Sequence, residues 1–175
     1  MPFTRSESTL QGTWTLTQLT NTLKTAFSQL TNTELFDEYD DTTKSYLVFK
    51  ITFDATKPYG SAFIRIHITK SNFSMNHSVA TGWNNSTHTL VGFESALSVA
   101  TTLIPSEALY LQTFDNPTNK EGKLVSLTHQ GSQRNFMIFV ANPQQYRDTD
   151  VSSDTKFLFA TNADHQNNKT WNLPN

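Results

Sequence analysis

The sequence predicts an α+β domain: an antiparallel sheet, or a partly closed barrel or sandwich, of about seven strands with two helices packed on it. Three observations predict it. Residues 45–70 alternate apolar and polar side chains in two runs around a turn. Two other stretches repeat apolar residues at the helical period. Short strand-like runs separated by polar turns then follow one another to about residue 161.

The first nine residues are polar and read as a loose arm. From Gln11 two periods compete. Thr13, Trp14, Thr15, Leu16 and Thr17 alternate like a strand, whereas Leu16, Leu19, Leu23, Phe27 and Leu30 share one helix face. Residues 11–16 fit either, and length favours an extended entry into a helix over about residues 16–31. Residues 34–41, ELFDEYDD, read as an acidic connector.

In the hairpin, Leu47, Phe49, Ile51 and Phe53 line one face, with Ala62, Ile64, Ile66 and Ile68 beside them. Lys57-Pro58-Tyr59-Gly60 supplies the turn chemistry between the two runs. The opposite face is mixed: Tyr46, Val48 and Lys50 with Phe63, Arg65 and His67. Residues 73–80 and 87–93 are weaker strands around the polar loop Thr81-Gly82-Trp83-Asn84-Asn85. Phe93, Leu97, Ala100 and Ile104 have helical spacing and define the second helix, stopped by Pro105.

Strands are expected at residues 108–114, 123–129, 136–141 and 156–161. Phe136-Met137-Ile138-Phe139-Val140 is apolar on both faces, so it belongs inside a sheet. No repeat or boundary divides the chain, which reads as a single domain over 1–175 with loose polar arms at 1–9 and 163–175.

Composition removes several classes. Charged residues are 16%, against about 25% in an average domain. Thr, Ser and Asn number 27, 16 and 15, a third of the 175 residues. Leu, Ile, Val and Phe make up 24%, enough to drive collapse. There is no Cys, which excludes disulfides, thiolate metal sites and cysteine nucleophiles. No run of 18 apolar residues exists, so no membrane span is expected. The N-terminus has no apolar signal-peptide core, and the expectation is a soluble protein of the cytoplasm or of a virion. Thirteen basic residues face 15 acidic ones, for a net charge of −2. With no basic cluster, nucleic acid is not an expected partner.

Constellations that could carry chemistry are few. The acids Glu34, Asp37, Glu38, Asp40 and Asp41 suit a hard cation or a basic partner, but more simply a solvated connector. Asp148, Asp150, Ser152 and Asp154 resemble half a calcium loop, yet Ser153 stands at the glycine position and Phe159 where a Glu is needed. His67, His77 and His88 could make a metal site if their three strands were neighbours, but strand histidines are more simply polar-face residues. No nucleophile elbow or phosphate-binding glycine loop occurs. No catalytic residue, metal or cofactor is therefore assigned. Gly12-Thr13-Trp14 resembles the Gly-x-Trp opening of lipocalin-like barrels over three residues, which would imply a barrel with a ligand cavity. The helical stretch that follows departs from that pattern, and the plainer reading makes Trp14 a core aromatic.

Two functions remain. The first is a non-enzymatic structural or assembly subunit of an ordered particle, virion- or phage-like, acting through homo-oligomer or other subunit contacts. Low charge and a neutral polar surface favour it, because interface cores are depleted in Lys and Glu. The alternative is a small-ligand or carbohydrate-binding β-barrel module. Its interaction residues would be Trp83, Asn84, Asn85 and Trp171, with the mixed hairpin face lining the cavity.

Overall fold

The computed structural model describes residues 4–95, 100–115, 122–129 and 135–141. The strand candidate at 156–161, the arm at 163–175, Trp171 and the calcium-like run at 148–154 lie outside these residues. The described chain forms β1 (Thr4–Leu10), α1 (Leu16–Ser28), β2 (Thr33–Asp40), β3 (Lys44–Thr52), β4 (Ser61–Thr69) and β5 (Ser74–Asn84). It continues with β6 (Thr89–Ser95), β7 (Thr101–Thr102), β8 (Leu109–Asp115), β9 (Gly122–His129) and β10 (Asn135–Ala141). The strands make two antiparallel sheets. Sheet A runs β1-β8-β9-β10, and sheet B runs β2-β3-β4-β5-β6 with β7 also on β5.

The expected helix forms as Leu16–Ser28. Thr15 caps it: its hydroxyl accepts from the Gln18 N–H at 3.3 Å, and the Gln18 side chain accepts from the Thr15 N–H at 2.8 Å. Leu19, Leu23, Ala26 and Phe27 are buried on one face. Phe27 stacks flat on Phe49 of β3, centroids 4.0 Å apart. The same core joins Leu109, Leu111, Val125, Leu127, Ile138 and Val140 of sheet A. One hydrophobic core is thus shared by α1 and the inner faces of both sheets.

Five expectations are corrected. A single helix is present among the described residues. The stretch beginning at Phe93 continues β6 instead, with Glu94 and Ser95 opposite Ala80 and Val79, and Thr101–Thr102 pairs with β5. Ladder pairing there overrides the helical spacing. The sheets do not close, so no barrel forms. Trp14 precedes α1, is 3% exposed, donates its indole N–H to the Glu107 carbonyl at 2.8 Å and meets Phe73 edge-on. It is a core aromatic; the lipocalin-like resemblance ends there. Residues 4–9 of the expected loose arm belong to β1, which pairs with β8 along its whole length. The acidic connector is β2, and the polar loop at 81–85 is mostly strand, because β5 runs to Asn84. Among the described residues β10 pairs with β9; the strand candidate at 156–161 lies outside them.

Two local features fix the frame. Gly60 closes the β3–β4 turn so tightly that a Cβ would lie 1.6 Å from the Asp54 carbonyl oxygen, so no other residue fits. Lys123 and Asp115 form an ion pair at the end of sheet A's inner face, with side chains 5% and 3% exposed. Lys123 also donates to the Thr31 hydroxyl at 2.7 Å, and Asp115 accepts from the Thr31 N–H at 2.9 Å. These bonds tie the end of α1 to sheet A. Burial alone would raise the Asp115 pKa, but the bonds from Lys123 and Thr31 outweigh it and hold the carboxyl below its usual value. The stability this carboxylate contributes is present above the unfolded-state pKa and lost as pH falls through the folded one.

Lys123→Met strands a buried carboxylate and is expected to cost about 3–5 kcal/mol in urea unfolding. Lys123→Met with Asp115→Leu should lose less than Lys123→Met alone. A double variant that loses the sum of both single losses would contradict an energetically coupled pair.

Candidate functional site

The outer face of sheet B, turned away from the core, carries the chemistry. A β-bulge in β2 sets its composition. Leu35 pairs with Phe49, but the next pair is Asp37 with Val48, leaving Phe36 extra. Side chains alternate along a strand, so one extra residue reverses the phase. Asp37 and Tyr39 thereby join the outer face, while Glu38 and Asp40 turn toward the helix side. Phe36 meets Phe63 edge-on at 5.1 Å, under the Lys50 ammonium.

Register then places the outer side chains in rows across the strands. One row is Asp37, Val48, Arg65 and Ser78; the next is Tyr39, Tyr46, His67 and Asn76. Lys44 and Thr69 pair in the row beyond.

The β5–β6 hairpin reaches this face. Asn84 builds its turn: the side-chain oxygen accepts from the N–H groups of Ser86 and Thr87 at 2.9 and 3.3 Å. His88 closes it at φ 52°, a left-handed conformation that His adopts more readily than most residues. Further along β6, Gly92 has φ +87°, and a Cβ there would meet the Thr81 hydroxyl at 2.2 Å. The register shifts at this point, and such bulges bend and twist the ribbon.

The tip residues land on Asp37. Its Oδ2 accepts from the Trp83 indole N–H at 2.9 Å and lies 2.9 Å from His88 Nδ1. His88 stacks on Tyr39 at 4.1 Å, Tyr39 on Tyr46 at 4.3 Å, and Tyr46 lies 5.8 Å from His67. Val48, Ser78 and Ala80 are buried although they belong to the outer face.

Titration behaviour follows from this packing. Burial first, then the Lys44 and Arg65 charges, push His67 down to about 4. Burial does the same to His77, also to about 4. Burial and the hydrogen bond to Asp41 push Tyr46 up to about 12. Tyr39 is raised by burial against the opposing Arg65 charge, and Arg65 bonds its hydroxyl. Both histidines are therefore neutral at pH 7.

The residues expected to interact are separated by these findings. Trp83 faces the aromatic cluster. Asn84 spends its side-chain oxygen on the turn, and Asn85 is exposed at the tip. The three histidines do not converge: His67 is on the outer face, His77 is 1% exposed on the inner one, and His88 is on the hairpin. Among the described residues no group of three or more His, Asp or Glu is placed to hold a metal ion.

The acidic run is matched instead by lysines. Glu34 pairs with Lys50 at 3.3 Å, Glu38 with Lys24 at 2.9 Å, and Asp40 with Lys70 at 3.3 Å. Asp41 accepts from the Thr43 and Lys44 N–H groups and from the Tyr46 hydroxyl. A polar groove of about 210 Å³ lies between α1 and strands β2 and β3, lined by Thr17, Asn21, Lys24, Glu38 and Ser45 among others. It is smaller than ordinary ligand pockets, which start near 300 Å³, and the Lys24–Glu38 pair belongs to its wall.

Sequence reasoning singled out the mixed hairpin face and Trp83, weighed Asp37 only within a cation-binding acidic run and His88 only as a metal ligand, and missed Tyr39. The one available signal was Phe36 and Tyr39 within the acidic run, apolar enough for a strand. Compared with known proteins, the chain matches no family model, no curated protein and no solved structure. No described helix is long and apolar enough to cross a membrane.

The histidines predict a pH dependence. Between about pH 4 and 6.5 the unfolded chain binds more protons at His67 and His77 than the folded one, so stability rises with pH across this window. Thermal melts should show Tm falling from pH 7 to 5. The double variant His67→Gln, His77→Gln should flatten that fall; an undiminished fall would contradict the assignment.

Proposed function

We propose that this protein is a non-enzymatic assembly subunit that associates with further copies of itself in an ordered particle of virion or phage type. The β6 edge carries the proposal. Val91 is 48% exposed there, and among the described residues β6 pairs on one side only. Free sheet edges are templates for another strand unless charge, proline or distortion protects them. β2 is protected by its acids and bulge, and β1 by Arg5 and Glu7. β6 has its own bulge at Gly92 and an acid beyond it, Glu94, but the run Thr89-Leu90-Val91 before them is regular and uncharged, so strand addition by a second copy there meets little desolvation cost.

The rest of the exterior supports the same reading. Three of its acids, Glu34, Glu38 and Asp40, are matched by lysines, and hydroxyl and amide side chains are abundant beside them. Large exposed apolar side chains among the described residues are Leu35, Val91 and Tyr110, on three different strands. Such a surface favours broad, weakly polar contacts over charge-driven ones.

Light scattering after size exclusion, across a wide concentration range, should give a multiple of 19.8 kDa or a mass that grows with concentration. Val91→Lys should shift it toward the monomer with the fold intact by circular dichroism. A mass of one chain at every concentration, or association untouched by Val91→Lys, would overturn self-assembly through this edge.

A further inference from the structure

We propose that the outer face of sheet B binds a carboxylate-bearing sugar, independently of any self-association. The row Tyr39, Tyr46, His67, Asn76 crosses four strands. At about 4.8 Å per strand it is about 14 Å long, the length of a short run of sugar rings. Its chemistry suits such a ligand. Tyr39 is stacked between His88 and Tyr46, so the ring left for the C–H side of a pyranose is Tyr46, on its side toward His67, where a neutral imidazole and an amide offer donors and acceptors for hydroxyls.

Two cations bracket the row. Arg65 lies one row to one side and Lys44 one row to the other. Neither is in an ion pair among the described residues, whereas Lys24, Lys50, Lys70 and Lys123 all are; the other described lysine without one, Lys57, lies in the β3–β4 turn away from this row. The nearest acids are committed: Asp37 to Trp83 and His88, Asp41 to its turn and Tyr46. At His67, beside the larger effect of burial, the Lys44 and Arg65 charges each lower the pKa and outweigh the opposing Asp41 carboxylate, so positive charge prevails at the row.

Two buried polar atoms in these rows, Arg65 Nε and Asn76 Oδ1, have no hydrogen-bond partner in the protein. Unsatisfied buried groups are rare and call for a partner. A carboxylate facing Arg65 and Lys44, with the ring along Tyr46 and His67, would accept from Arg65 Nε, and a sugar hydroxyl would donate to Asn76 Oδ1. The Trp83–His88 hairpin walls the face on one side and fixes the ligand's direction.

The test is a glycan array carrying neutral, sulfated, uronic-acid and sialic-acid oligosaccharides, followed by titration of the retained glycans and their methyl esters. Carboxylate-bearing glycans should be retained, and esterification should weaken binding at least about tenfold by removing the charge-assisted bonds. Lys44→Glu and Arg65→Gln should each weaken the acidic glycan, with the fold checked by circular dichroism. Because Arg65 also bonds Tyr39, Lys44→Glu is the variant that decides. No retained glycan, equal binding of ester and acid, retention of sulfated glycans alone, or affinity unchanged by Lys44→Glu would each overturn the proposal. The array is read with Val91→Lys protein as well, so that loss of self-association and loss of glycan binding are scored separately.

Discussion

One oxygen atom organises the outer face. Asp37 Oδ2 receives the Trp83 indole and lies against the His88 imidazole, so a hairpin that leaves sheet B at β5 is fastened near its opposite edge. The carboxylate is 14% exposed, where an ion without hydrogen bonds would be costly. Its placement depends in turn on the β2 bulge. Without Phe36 as the extra residue, Asp37 would point toward the helix, and Tyr39 with it. The hairpin's own bend depends on Gly92, and its turn on Asn84. Sheet B is therefore covered on both sides, by the shared core within and partly by its own ribbon without.

The same strand explains the surface. β2 is the most acidic stretch of the described chain, yet Lys24 from α1, Lys50 from β3 and Lys70 from beyond β4 each meet one of its acids. Exposed pairs of this kind add little stability, about 0–1 kcal/mol each. Their effect is on charge: they leave a hydroxyl- and amide-rich exterior with no strong field. Of the three described cations left over, Lys57 sits in the β3–β4 turn, while Lys44 and Arg65 flank the aromatic row.

How much of this was legible in the sequence depends on the range of the interactions. The β3–β4 hairpin was readable because its period-two pattern and its Pro-Gly turn are local. So was α1, through its leucine spacing. β2 was not, because its strand character rests on pairing with β3 and on lysines 14 to 30 residues away. The stretch after Phe93 was misread because its helical spacing competes with a long-range ladder to β5. Of the site, Trp83 and the mixed face with Tyr46, Arg65 and His67 were visible as residue types. Their meeting with Asp37 and His88 was not, since two bulges decide which way those side chains point.

If copies join through the uncharged run Thr89-Leu90-Val91 of the β6 edge, their association is insensitive to screening. Sedimentation equilibrium at ionic strengths from about 20 mM to about 500 mM, which shortens the Debye length from about 20 Å to about 4 Å, tests this directly. An association constant that stays level, or rises slightly with salt, is the expected result. A constant that collapses as salt is added would show that charge holds the copies together, and would contradict the account.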